Sequence, residues 1–536
     1  MSLNDSRLSS VFDKLTSELS SIVVNDQKRL FAIDRLKTRL RKKAKFDAIN
    51  LSVDTVQDFL NLNYGLQDNV DTADPLILND ARYFITKALE NFTSSKNQAC
   101  IQIPYDFMVL YDMWGYGPGA CASGHAAHPV EKHLAAWDTT SAALPLLQKL
   151  RAAHPYLSLN DRYMGERKPF LCRGSRLSTV RKNEEKFRTI GMEPIGNMAL
   201  QLAAGHYYEG ALRHVGLDIR TQQPRNKAFA RLGSIDGRFA TLDLSEASNM
   251  ILPSLVRATH PKEWFHILDS IRVHETELPD LSYEELHMFS TMGNGFTFPL
   301  MTLTIVALIY GWRANYGNTR NLHVDWNKTC VFGDDIIIPT EEYEGITQTL
   351  ESVGLVINHD KSFKSGPFRE SCGGDYFEGY DVTPFYIKSL RHNADVYVAI
   401  NQLLEWSARH DIFLWGTFEL LKSYINGDTF FVPEWCGPVS GIRTTLVSRN
   451  YKTLQPIQKH EPVFNEPDCA SLAVGGYLEV TRRGDLNYLP RQFKTRYRVT
   501  KQRLPRGFLC GRSPIDRSEI ESKRIDLFLL MRGFGN

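Results

Sequence analysis

One stretch constrains this chain more than any other: Thr329-Cys330-Val331-Phe332-Gly333-Asp334-Asp335-Ile336-Ile337-Ile338-Pro339. Two short apolar runs flank a Gly-Asp turn, which is the pattern of a β-hairpin. Asp334 and Asp335 then stand side by side, and like charges a few Å apart repel strongly in a partly buried site. A divalent cation relieves that repulsion, and ligands made only of oxygen select Mg²⁺ or Mn²⁺ over zinc. A solvated surface turn is the plainer alternative, so the rest of the chain has to decide between the two.

Length and composition narrow the field. With 536 residues, of which 43% are hydrophobic and 23% charged, the chain is built like a large globular protein, with several structural units or one multi-lobed enzyme. Its eight cysteines, at 100, 121, 172, 330, 372, 436, 469 and 510, include no Cys-x-x-Cys pair. That scatter fits free thiols in a reducing cytosol. The opening Met1-Ser2-Leu3-Asn4-Asp5-Ser6 lacks the basic-then-apolar order of a signal peptide. The longest apolar stretch, Phe296 to Trp312, carries three threonines and a proline, falls short of a membrane span and predicts a buried helix. No membrane partner is expected.

Net charge is only +2, yet the basic residues are bunched. Lys28 to Lys45 holds nine Lys/Arg against one acid, with Leu30, Ile33, Leu36 and Leu40 spaced as on an amphipathic helix. Arg162 to Arg188 holds nine against three, and Arg482 to Arg506 nine against one, with Tyr488, Phe493 and Tyr497 interleaved. One such run is an ordinary solvated face. Three of them around an acidic centre are what an enzyme that holds a polyanion would carry.

In chain order, residues 1 to about 100 read as mainly helical. Cys121, His125, His128 and His133 lie close together, but their spacing matches no standard zinc pattern, and a packed loop is the better reading. If Thr179 to Arg188 is extended, Lys182, Lys186 and Arg188 share one face and can grip a phosphate chain; an exposed basic strand is the alternative. Phe239 to Ser245 reads as a strand carrying Asp243 at its end, followed by a helix through Val256. With the hairpin acids, Asp243 would complete a three-carboxylate cluster able to hold two metal ions about 3.5 to 4 Å apart, the arrangement used for in-line phosphoryl transfer. Asp243 and Asp334 would contact both ions and Asp335 one, with the Leu244 carbonyl as a further ligand. Between strand and hairpin, Gly293-Asn294-Gly295 gives a loop whose backbone can approach a ligand closely.

The succession of basic strand, Asp-ended strand, glycine loop, Gly-Asp-Asp hairpin and then Lys361 resembles the right-hand nucleic-acid polymerases, and more closely the replicase subunit of the leviviruses, the single-stranded RNA bacteriophages. The matching segments are Val180-x-Lys182-Asn183 with Arg188 and Glu193-Pro194, Gly233-Ser234-x-Asp236-Gly237, Asp243-Leu244-Ser245-x-Ala247-Ser248, Ser290 to Phe298, and Gly333-Asp334-Asp335. Two more are family-specific: Phe368-Arg369-Glu370-Ser371-Cys372-Gly373, and Gly379-x-Asp381-Val382-x-Pro384-Phe385-Tyr386-Ile387-Lys388. The likeness covers about residues 160 to 390. Three positions depart from the family pattern: Phe332 replaces a tyrosine, Pro299 a glutamate and Asn249 an aspartate.

The resemblance implies an α+β right-hand polymerase with an antiparallel palm sheet and helical surroundings. Its expected spans are an N-terminal helical region at 1–100, fingers at 101–238, palm at 239–390, and thumb with the basic C-terminal region at 391–536. It implies an RNA-directed RNA polymerase using two Mg²⁺, or Mn²⁺ in their place. Lys182 and Arg188 would hold the triphosphate, Ser248 and Asn249 the ribose, and Lys361 would serve as acid for the leaving pyrophosphate. Implied partners are template and product RNA, ribonucleoside triphosphates, host elongation factors Tu and Ts, a small-subunit ribosomal RNA-binding protein and the RNA chaperone Hfq, in the bacterial cytoplasm. A reverse transcriptase shares the palm acids, but Ser248, Asn249 and Phe332 stand where it carries a bulky aromatic and a tyrosine. A non-catalytic RNA-binding protein would keep the basic runs without the spaced aspartates.

Overall fold

The stretch at 296–312 becomes the helix Thr297–Tyr316, and it is buried along most of its length. By length and composition it is long enough to cross a membrane, contrary to the expectation from its threonines, but 83% of its apolar window is inside the protein. The computed structural model that places it describes residues 2–46, 52–96, 108–117, 119–124, 131–132, 135–154, 169–181, 187–317, 325–432 and 437–444. Helix Pro75–Lys96 packs on it so closely that a Cβ on Gly311 would lie 2.4 Å from the Ile77 carbonyl oxygen, and the Phe84 and Tyr310 rings meet at 4.9 Å. Leu300, Leu303 and Leu308 are wholly buried. Each stabilises the fold by about 1.5 to 3 kcal/mol relative to exposure.

The chain divides into two compact units, one of residues 1–53, 181–188 and 382–536, the other of 54–180 and 189–381. The second holds the Gly-Asp-Asp hairpin, made as expected from strands Cys330–Phe332 and Asp335–Pro339. Phe332 pairs with Asp335 across a two-residue turn. Gly333 comes first in that turn at φ 61, where a two-residue hairpin of type II′ needs positive φ. Asp335–Pro339 pairs antiparallel with Phe239–Leu242, Ile336 opposite Leu242 and Pro339 opposite Phe239. Helix Gln222–Asp236 ends at Gly237, φ 73, whose N–H donates to the Gly233 carbonyl, a left-handed glycine cap that turns the chain into the Phe239 strand. The Gly233-Ser234-x-Asp236-Gly237 segment is therefore the corner between helix and sheet.

The helix expected directly after Asp243, through Val256, does not form there. Leu244–Ser245 pairs with Val356–Ile357, Glu246 is left-handed at φ 48, and only a short 3₁₀ turn, Ala247–Asn249, precedes the helix Pro253–Thr259. Proline at the first helical position sets that later start. Further along, Phe368–Ser371, Gly374–Phe377 and Tyr380–Asp381 form a meander. Both of its turns, Cys372-Gly373 and Glu378-Gly379, have positive φ at each central residue, the type I′ geometry that suits twisted hairpins. Helices surround these antiparallel strands, and the class is α+β.

In the first unit, helix Gln27–Arg39 carries the first basic run and buries Ala32, Ile33 and Leu36. Leu30, expected on that apolar stripe, is 45% exposed. Helix Leu3–Ser21 meets helix Trp415–Ser423 through Glu18, which accepts from the backbone N–H of Gly416 at 2.6 Å and Thr417 at 2.8 Å. An acid at a helix N-terminus answers both its unpaired N–H groups and its dipole.

Candidate active site

Sheet register brings the acids together. Ile336 and Leu242 are the last pair between their strands, and the next residue outward on each strand is Asp335 and Asp243. Asp243 donates its N–H to Ser362 Oγ at 3.1 Å, and its carbonyl accepts from Asn358 N–H at 2.9 Å. Leu244 is buried and stands opposite Ile357 in the next strand pair. Asp243 Oδ2 accepts from Lys361 Nζ and from Asn358 Nδ2, both at 2.8 Å. Burial opposes the charge on Lys361, but the hydrogen bond to Asp243 and the fields of Asp243, Glu370 and Asp334 outweigh it, and the lysine pKa is raised.

Asp335 is held from the other side. Its Oδ1 accepts from Cys372 N–H at 2.9 Å and Ser371 Oγ at 3.2 Å, so Oδ2 is the oxygen left for a ligand. Burial pushes the Asp335 carboxyl up to about 6; the Cys372 N–H pulls against it, while the fields of Asp334 and Asp243 add to it. Asp335 thus feels both of the other carboxylates.

The glycine loop is packed differently from the expectation. A Cβ on Gly293 would lie 2.2 Å from the Gly191 carbonyl oxygen, and one on Gly205 would lie 2.4 Å from that of Gly295. The close approach these glycines permit is to the protein itself, against strand Phe187–Met192 and helix Ile195–His214. Asn294 is buried and accepts from Phe296 N–H through its own side chain at 3.0 Å. Behind the loop, Gln201 donates to Glu193 Oε2 at 2.9 Å and accepts from Gly295 N–H at 3.3 Å. Burial pushes the Glu193 carboxyl up to about 7, with the Gln201 amide pulling the other way.

Of the remaining predicted residues, Arg188 is half-buried on its strand and groups with the first unit. Ser248 is half-buried, and Asn249 is buried in the 3₁₀ turn with Nδ2 3.5 Å from Glu246 Oε2. Phe332 packs its ring on Phe298 at 4.8 Å, and Pro299 is buried in the first turn of its helix. Lys182, Lys186, His125, His128, His133 and the run Arg482 to Arg506 lie outside the described residues. Cys121 is a buried free thiol, 3.1 Å from Ser123 Oγ.

A family model described as RNA replicase, beta-chain, matches residues 105–434. The chain belongs to the RNA replicase beta-chain family. It is 32% identical over 369 residues to the RNA-directed RNA polymerase subunit beta of Enterobacteria phage SP, covering 66% of this chain and 61% of that one. To the subunit of the same name from Escherichia virus Qbeta it is 30% identical over 472 residues, covering 84% and 76%. To the RNA-directed RNA polymerase beta chain of Escherichia phage MS2 it is 38% identical over 234 residues, covering 44% and 41%. The matched stretches thus span from under half to about three quarters of these relatives' own lengths.

Several residues around the replicase acids escaped the sequence reading. Asn358 and Ser362 bracket Lys361 and fasten Asp243; Ser371 and Cys372 fasten Asp335; Asn226 donates to the Asp335 carbonyl at 3.1 Å and to Ser371 Oγ at 3.3 Å. Arg369 is fully buried and donates to the carbonyls of Phe239, Gly366 and Phe368, so it holds the corner where two sheets meet. The family-specific Phe368 to Gly373 segment was the available signal for three of these.

Whether the acids suit a divalent cation can be asked of their chemistry. Every donor is a hard oxygen, and burial, with the fields of Asp334 and Asp243 added to it, raises the Asp335 pKa. Among the described residues no three His, Cys, Asp or Glu side chains gather into a group that could hold a metal by itself. The three-carboxylate cluster expected of Asp243, Asp334 and Asp335 is thus not closed by these side chains alone; Mg²⁺ at phosphate-transfer sites takes one or two carboxylates together with substrate phosphates.

Proposed function

We propose that this chain is an RNA-directed RNA polymerase that copies a phage RNA genome inside the bacterial host. The observation that carries the reading is the placement of Asp243, Asp334 and Asp335 at one end of a single antiparallel sheet, in a chain of the replicase family. A reverse transcriptase or a non-catalytic RNA-binding protein is left with less support, since neither accounts for the match to the replicase model.

In this reading the spans 101–238, 239–390 and 391–536 act as fingers, palm and thumb behind an N-terminal helical region. Asp243, Asp334, Asp335 and the Leu244 carbonyl would hold two divalent cations, Mg²⁺ or Mn²⁺, with Asp335 offering Oδ2 alone. Such ions, when bound, lower the pKa of an attacking 3′-hydroxyl and neutralise charge on departing pyrophosphate. Lys361, held on Asp243 Oδ2, would donate a proton to that leaving group. Lys182 and Arg188 grip the triphosphate, and Ser248 and Asn249 contact the ribose. The loop Gly293-Asn294-Gly295 supports the nucleotide site from behind through its seam with Gly191 and Gln201. Template and product RNA and ribonucleoside triphosphates are the substrates. Elongation factors Tu and Ts, a small-subunit ribosomal RNA-binding protein and Hfq are the candidate host partners, to be sought by affinity purification from the host.

The test is template-directed RNA synthesis with ribo- and deoxynucleotides. Asp334→Asn and Asp243→Asn should each lower turnover about a thousandfold, roughly 4 kcal/mol of transition-state stabilisation, with RNA binding nearly unchanged. Asp335→Asn should be milder. More than about a tenth of wild-type turnover in the Asp334 variant would remove this assignment.

A further inference from the structure

Cys372 is an unlikely residue for its place. In the turn between Phe368–Ser371 and Gly374–Phe377 both central residues have positive φ, 50 at Cys372 and 70 at Gly373. Asparagine or glycine is the usual occupant of the first position, and a non-glycine residue held in the left-handed region costs energy unless its surroundings require it. Such outliers gather at functional sites, and here the outlier adjoins Asp335. Its N–H and the hydroxyl of Ser371 both donate to Asp335 Oδ1, and its thiol lies within hydrogen-bonding reach of the same carboxylate. Asn226, wholly buried, ties the Asp335 backbone to Ser371. Turn, helix and hairpin thus meet at Asp335.

We propose that Cys372 is a positioning residue for nucleotidyl transfer: the turn Ser371-Cys372 captures Asp335 Oδ1 and so aims Oδ2 at the reacting groups. The inference rests on the polymerase reading and deepens it. Two donors converge on Oδ1 and hold the carboxylate's rotation, which a free aspartate side chain on a strand end would not have. The left-handed Cys372 serves the capture, because that backbone turn points its N–H at Asp335 Oδ1. A residue kept for function against its own backbone preference has a recognisable signature. Relieving the strain should help folding and harm turnover.

The experiment measures kcat, KM for nucleotide and thermal midpoint in wild type, Cys372→Gly, Cys372→Ser and Asp335→Asn. Glycine accepts φ 50 freely and keeps the N–H, so Cys372→Gly should have an unchanged or higher midpoint with kcat lowered about three- to tenfold and KM little changed. Serine keeps a donor on the same backbone, and Cys372→Ser should recover at least half of wild-type kcat. If Cys372→Gly keeps full kcat, or loses kcat and midpoint together, the positioning role is overturned. If Asp335→Asn itself keeps wild-type kcat, the catalytic assignment of Asp335 falls and takes this inference with it. A defective Asp335→Asn beside a fully active Cys372→Gly rejects the positioning role alone.

Discussion

Glu193 shows at the scale of one residue how burial and charge trade against each other. Its carboxyl is 1% exposed, one oxygen meets Gln201, and Oε1 has no hydrogen-bond partner among the described residues. An ionised carboxylate in that setting is costly, and its pKa moves from 4.5 to about 7. The folded protein therefore keeps a proton that the unfolded chain releases at lower pH. The stability from this group is fully present below about pH 4.5 and is lost as pH rises through 7. A shift of that size is worth on the order of 3 kcal/mol. Glu193→Gln, neutral at every pH, should flatten the stability profile between pH 5 and 8 in denaturant titrations. An equally steep fall in the variant would place the sensitivity elsewhere.

Among the elements, the glycine loop and the strand behind it form a seam that only residues without a Cβ can make. Gly293 has φ 118 and would press a methyl 2.2 Å from a backbone oxygen, whereas a Cβ on Gly366, at φ 72, would meet nothing within 4 Å among the described residues. Gly366→Ala should cost only the backbone strain, about 1 kcal/mol. Gly293→Ala should cost roughly 2 to 5 kcal/mol, because overpacking against main chain adds to that strain. Chemical denaturation of both variants decides it; equal losses would mean the seam gives way easily. A composition rule about glycine loops near ligands could not separate these two positions. The side-chain pattern names the flexible residue, but what it touches depends on an element about a hundred residues away.

For the whole molecule, a near-neutral charge of +2 conceals strongly basic segments. In the first unit, the run Lys28 to Lys45 meets a further lysine through the backbone: Lys45 N–H donates to the Lys388 carbonyl at 2.8 Å, and both side chains are exposed. If RNA phosphates lie there, Lys45→Ala with Lys388→Ala should lower the slope of log affinity against log salt by about 1.4, at roughly 0.7 per phosphate contact on a single strand. An unchanged slope would put the RNA elsewhere. The sequence alone determined the hairpin, the Asp-ended strand, the buried apolar helix and the family. Those features rest on local alternation, turn residues and side-chain chemistry, which a strand or helix carries by itself. Tertiary structure alone decided the register that sets Asp243 level with Asp335, the grip of Lys361 and Asn358 on one acid and of Ser371 and Cys372 on the other, and the glycine seam. Each of these is a contact between segments 35 to 120 residues apart. Its partner is chosen by how the sheets pair and not by anything written beside the residue.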